Sequence, residues 1–223
     1  LKENLSEDYM DDKVRTMVNN IEWLGHASFK LCGSKTIYID PWKLPAGVGG
    51  DGDIVLVTHE HYDHCSPKDI KQALSSNGKV LMSESCKPNY PGADIYTLPY
   101  MKHKVDGLSI YATAAYNLNK QFHTKEMGHV GYIVTLDGVT IYHTGDCDAF
   151  PHMADLKCDI LLVPVSGTYV MDPGDAVDAC NMVKPQVAIP MHWGDADVVG
   201  TKGDAERFQK VAPCEVVILD RKI

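Results

Sequence analysis

Apolar residues in this chain fall in short runs and alternations broken by Gly, Pro and Asp/Asn clusters, a pattern that predicts many strands and few helices. Ile21 to Leu31 and Lys35 to Asp40 are apolar, β-branched or aromatic and flank Cys32-Gly33-Ser34, which predicts two strands joined by a tight turn. A third strand, Asp53 to Thr58, follows a Gly-rich loop. Ser66-Pro67-Lys68-Asp69 supplies a cap residue, a proline at the first helical position and an acid two further on, so a helix is expected from Pro67 to about Ser75. Strands are predicted again at Lys79 to Ser83, Ile95 to Leu98, Leu108 to Ala114, Val130 to Leu136 and Val139 to His143. Asp137-Gly138 turns the last pair into a hairpin, and this stretch is expected to be largely antiparallel. The remainder alternates: strand Asp159 to Val165, helix Pro173 to Val183, strand Gln186 to Pro190, helix Asp204 to Val211 and strand Glu215 to Leu219, which are crossover units. Residues 1–20 are polar and predict a short helix or frayed lead-in, with a single domain over 21–223. Two packed sheets with helices outside is the simplest architecture.

Charge narrows the function. The 223 residues carry 21 Lys+Arg against 30 Asp+Glu, a net charge of −9, which argues against nucleic-acid binding through phosphate neutralisation and favours a small-molecule substrate. No run approaches the ~20 apolar residues of a membrane span, and Leu1 to Met10 lacks the apolar centre of a signal peptide. Seven cysteines without a CxxC pair fit free thiols in a reducing compartment, so a soluble, cytoplasmic protein is expected, with a homodimer as the default oligomer.

The chemistry concentrates in Thr58-His59-Glu60-His61-Tyr62-Asp63-His64, directly after an apolar strand. In extended backbone His59 and His61 face one side and can converge on one cation, while a following turn aims Asp63 and His64 at a second point. The spacing is not HExxH, because Asp63 stands at its fifth position. Two further strand ends offer ligands: Val139 to His143 runs into Thr144-Gly145-Asp146, and Gln186 to Pro190 into Met191-His192-Trp193-Gly194. Gly47-Val48-Gly49-Gly50-Asp51-Gly52 satisfies GxGxxG but precedes a strand instead of opening a helix, so it reads as a surface loop. No Walker sequence and no GxSxG elbow is present.

THEHYDH, YHTGD and IPMHWG, in that order, resemble the metallo-β-lactamase superfamily, in particular its branch of small uncharacterised, lactonase-like metal-dependent hydrolases. The resemblance runs from about Ile21 to Leu219 and includes Trp23-Leu24-Gly25-His26, Tyr38-Ile39-Asp40-Pro41 and Asp172-Pro173. It implies an α+β fold, a four-layer αββα sandwich with a dinuclear site at one edge of the two sheets. It further implies that His59 and His61 bind a first metal, that Asp63, His64 and His192 bind a second, and that Asp146 bridges them. The third histidine of the first metal is absent from its usual neighbourhood, where Asn117 stands; among His103, His123 and His129 nearby, His123 is favoured.

Two divalent ions, zinc first with manganese or iron as options, would let a metal-bridging hydroxide attack a small ester, lactone, amide or phosphoester. Asp63 and Asp146 are then the catalytic carboxylates. Asp40 is the expected acceptor that fixes a ligand imidazole, and His26, Asn117, His143 and Tyr169 are candidates for the surrounding shell or substrate pocket, with Ser166 beside Tyr169. Cys65 and Cys147, next to proposed ligands, read as packed thiols, and Trp42 as a core residue. The competing readings are a phosphodiesterase or nuclease of the same superfamily, an iron-dependent redox protein, and a non-catalytic metal-binding protein.

Overall fold

The computed structural model describes residues 10–222; the predicted lead-in before residue 10 lies outside them. From there the chain enters helix α1 (Asp12–Asn19), capped by the Asp11 carboxylate, which accepts from the Lys13 N–H. One sheet holds β1 (Ile21–Gly25), β2 (Ser28–Cys32), β3 (Thr36–Ile39), β4 (Gly52–Val57), β5 (Leu74–Ser83) and β6 (Ile95–Thr97) in sequential order. The second holds, from its opposite edge inward, β7 (Lys102–Val105), β8 (Leu108–Ala114), β9 (Val130–Leu136), β10 (Val139–His143), β11 (Ile160–Pro164), β12 (Val187–Met191) and β13 (Glu215–Val216). Helix α2 (Pro67–Ala73) follows β4, α3 (Pro173–Val183) follows β11, and α4 (Lys202–Val211) follows β12.

Period-two alternation explains the layers. In β4, Ile54 and Leu56 enter the core between the sheets, while Val55 and Val57 join Ile70 and Ala73 of α2 on the outer face. A strand covered on both sides needs an unbroken apolar run, which Ile54 to Val57 provides. On the other side, Ala176, Ala179, Cys180 and Val183 of α3 and Phe208 of α4 pack outside β11 and β12. The result is the expected α+β sandwich of four layers. Among the described residues no helix is long and apolar enough to cross a membrane.

Several sequence-based boundaries change. Ile21 to Leu31 is two strands rather than one, because Gly25 (φ 112°) and His26 (φ 52°) leave the extended region and fold β1 back on β2. The antiparallel expectation holds only from Lys102 onward: β3 to β6 pair in parallel, with α2 carrying the crossover from β4 to β5 and two connections without an α-helix carrying the others. Strand β7 was absent from the prediction, since its Lys102, His103 and Lys104 are polar positions on a sheet edge. β5 begins already at Leu74, immediately after α2, α4 starts two residues early at Lys202, and β13 ends at Val216.

The parallel strands of both sheets deliver their C-terminal ends to the same edge of the sandwich. There β4 and β9 are tied across the sheets, with the Val130 N–H donating to the Thr58 carbonyl (3.1 Å) and the Tyr132 hydroxyl to the Val57 carbonyl (2.9 Å). Beside this tie, Gly131 leaves room for the end of β10, because a Cβ there would lie 2.6 Å from the Thr144 carbonyl oxygen and 2.7 Å from that of His143. Gly131→Ala is therefore expected to cost about 1–3 kcal/mol through overpacking. Urea unfolding measures it, and unchanged stability would remove this contact from the account.

Candidate metal centre

Apart from His123, which a loop between β8 and β9 carries, each candidate ligand sits just beyond a strand end. β4 leads into His59, His61, Asp63 and His64; β10 leads into Asp146; β12 leads into His192; and the β1–β2 turn presents His26. Asp40 (φ 46°), His26 (φ 52°), His123 (φ 55°) and His192 (φ 63°) all adopt left-handed backbone, which non-glycine residues enter only when their surroundings compel it.

The centre is organised around Asp146, whose side chain is 3 % exposed. Its Oδ2 lies 3.1 Å from His192 Nε2, 3.4 Å from His64 Nε2, 3.5 Å from His123 Nε2 and 3.9 Å from His59 Nε2. The opposite nitrogen of each ring is engaged separately. His64 Nδ1 lies 2.7 Å from Asp40 Oδ2, His59 Nδ1 is 2.9 Å from Thr58 Oγ1, His192 Nδ1 is 2.8 Å from Ser166 Oγ, and His123 Nδ1 is 3.2 Å from His129 Nδ1. Because the Thr58 hydroxyl donates to Asp40 Oδ2 (2.6 Å), its lone pair is turned to His59. Asp40 thus orients two rings, one directly and one through Thr58, and its Oδ1 accepts the Thr58 N–H.

These side chains fit a metal. Ligand atoms within 4.8 Å of one another form three overlapping groups: His59, His64 and Asp146; His26, Asp63, His64 and His192; and His59, His123 and His129. His64 Nε2 and Asp146 Oδ1 are buried with no hydrogen-bond partner, a cost that a cation removes. His61 completes the cluster, its Nδ1 3.1 Å from His59 Nε2. Burial pushes His59 well below the usual imidazole range and His123 down to about 4, which favours the neutral, ligating form. Burial also opposes a charge on His64, but Asp146 and Asp40 overcome it and raise that ring well above the usual range.

A family model described as a β-lactamase superfamily domain matches residues 20–192. A metal-dependent hydrolase of Thermococcus kodakarensis is 34% identical over 217 residues, covering 89% of this chain and 95% of that one, and one of Archaeoglobus fulgidus is 33% identical over 227 residues with the same coverage. This chain is a metal-dependent hydrolase of the β-lactamase superfamily. A crystal structure from Parabacteroides distasonis superposes with a TM-score of 0.78 at 28% identity, covering 91% of this chain and 93% of the other. A metallo hydrolase of Ignicoccus hospitalis shares the fold at a TM-score of 0.74 and 23% identity, covering 91% and 95%.

In this hydrolase the structure brings the predicted residues together with some changes of position. His123 reaches Asp146, whereas His103 stays away, on β7 with its Nε2 2.6 Å from Thr97 Oγ1. Asn117 holds the loop that carries His123: its side-chain amide donates to the carbonyls of Phe122 (2.8 Å) and Tyr169 (2.7 Å), and its N–H to the carbonyl of His123 (2.7 Å). His143 lies beneath the site, with Nε2 2.9 Å from the Ala27 carbonyl and Nδ1 accepting the Gly145 N–H, so it supports the loop of Asp146. His26 Nε2 is 3.1 Å from Asp63 Oδ2. Tyr169 is on the rim, edge-on to Phe122. Trp42 is buried beside His26, and Cys65 and Cys147 are buried thiols. Sequence reasoning weighed His129 only as a ligand and gave Glu60 and Thr58 no role; their isolated positions carried no signal until the fold stacked His129 on His59.

Asp146 and Asp40 favour the protonated form of His64, so a metal bound at this ring would have to displace a proton. Zinc loading at pH 7 should therefore release about one proton per chain from this ring, read by titration calorimetry in buffers of different ionisation enthalpy. A binding heat independent of buffer would contradict this.

Proposed function

We propose that this hydrolase holds two divalent ions, zinc foremost, and cleaves a small uncharged ester, lactone or amide. The observation that carries this reading is the convergence of four imidazole Nε2 atoms on one buried carboxylate oxygen of Asp146. His59, His61 and His123 would hold one ion, Asp63, His64 and His192 the other, and Asp146 both. Bound there, the ions would supply an acidified water and positive charge that stabilises a developing oxyanion. Asp63, partly buried at the cavity wall, accepts and orients the proton of that water, and His26 steadies its carboxylate from behind. Burial alone would raise the carboxyl pKa of Asp63; the contacts with His26 and His64 reverse this and keep it ionised.

A cavity of about 570 Å³ opens over the centre, large enough for a small molecule and far short of a polymer groove. Its walls combine His61, Asp63, Asp146 and His192 with apolar Phe122, Tyr169, Val198 and Val199. Among the described residues no Lys or Arg lines it. Lys43, nearby, is occupied by Asp195 (2.8 Å) and Asp197 (2.5 Å). A phosphodiester or polyanion would have no cationic side chain to meet in this cavity, which favours acyl substrates over phosphoesters.

Elemental analysis of protein purified without added metal, beside the Asp146→Ala variant, tests the centre. Two equivalents per chain are expected, falling to one or fewer in the variant together with turnover. A variant that keeps full metal and full rate would sink the bridging assignment. On a substrate panel, neutral aryl esters and lactones should be cleaved at least about tenfold faster than a matched phosphodiester, a preference of about 1.4 kcal/mol in the barrier; the reverse order would move the substrate class to phosphoesters.

A further inference from the structure

We infer that His129 and Glu60 form a positioning relay that fixes the ring of His123 toward the metal centre. This rests on the proposal that His123 ligates through Nε2. A histidine that ligates through Nε2 carries its proton on Nδ1 and needs an acceptor there. For His59, His64 and His192 the partner is an oxygen: Thr58, Asp40 and Ser166. For His123 it is a second imidazole, His129 Nδ1, at 3.2 Å.

An imidazole can accept only at its unprotonated nitrogen, so His129 has to carry its own proton on Nε2. The structure places a carboxylate at that end, with Glu60 Oε2 2.9 Å from His129 Nε2. The chain Glu60, His129, His123 therefore has one consistent arrangement: His129 keeps its proton on Nε2, the nitrogen beside the Glu60 carboxylate, His123 Nδ1–H donates to His129 Nδ1, and His123 Nε2 is left bare 3.5 Å from Asp146 Oδ2. Glu60 lies between His59 and His61, where the chain bends after the end of β4, and its carboxylate reaches His129.

The relay is rigid. His129 is 1 % exposed, its ring is stacked on His59 with centroids 4.7 Å apart, and its carbonyl accepts the Ala115 N–H at 3.0 Å. The next residue is the one that ties β9 to the end of β4. His123, by contrast, sits on a loop, in left-handed backbone (φ 55°), so its ring depends on this partner more than the strand-borne ligands do on theirs.

Long-range ¹⁵N imidazole spectra of the metal-free protein give a readout independent of turnover. The relay requires Nδ1–H on His123 and Nε2–H on His129; the opposite tautomer on either ring overturns it. Competition with a chelator then measures zinc. His129→Phe should weaken one of the two equivalents about 10- to 100-fold and leave the other unchanged. His129→Asn, whose Oδ1 stands near the lost Nδ1, should restore most of that affinity and the His123 Nδ1–H signal. Wild-type affinity in His129→Phe, or no recovery in His129→Asn, would overturn the relay, the latter by making His129 a direct ligand. The unchanged second equivalent and intact His64 signals show that the fold survives. A protein with the predicted tautomers and affinities that cleaves nothing on the acyl panel would instead count against the hydrolytic reading alone.

Discussion

The burial of one carboxylate, Asp146, sets the terms for everything around it. A charge removed from water costs several kcal/mol unless it is compensated, and here the compensation is a ring of imidazoles at 3.1–3.9 Å. Those imidazoles are buried in turn and create the same demand one layer further out. Asp40, Thr58, Ser166 and His129 meet it, each engaging the nitrogen that faces away from Asp146. Among the buried atoms left without a hydrogen-bond partner are His64 Nε2 and Asp146 Oδ1, both within this cluster. Such a core is unfavourable as an empty shell and favourable around cations, so folding and metal loading are coupled.

The sandwich is what makes this affordable. Parallel strands from both sheets end at one edge, so ligands more than a hundred residues apart in sequence, such as His59 and His192, arrive on stiff supports. The left-handed backbone at Asp40, His26, His123 and His192 is the strain tolerated to turn each chain segment at that edge. Asn117 shows the same economy in a loop. It stands where a third histidine was sought, and its side chain instead pins the neighbouring loop so that His123 reaches the centre from six residues further on.

Around the metal side chains the cavity wall is apolar and aromatic, and the nearby cation Lys43 is neutralised by two aspartates. Positive charge in the cavity would then come from metal rather than from side chains.

The sequence alone determined the layer architecture and pointed to the motifs whose side chains gather at the candidate centre. Apolar runs such as Ile54 to Val57 admit few environments other than a doubly covered strand, and four ligating side chains in the six residues His59 to His64 are costly unless used. It also pointed to Asp40, which follows a strand and lies 2.7 Å from His64 Nδ1. Tertiary structure decided what depends on distance between remote segments: the hairpin turn at His26, the parallel pairing of β5 and β6, the approach of His123 rather than His103 to Asp146, and the proximity of Glu60 to His129. Local patterning records which face a residue presents to its own strand. It does not record which nitrogen of an imidazole meets which partner, because that is fixed only when two sheets close on each other and leave a buried proton one acceptor.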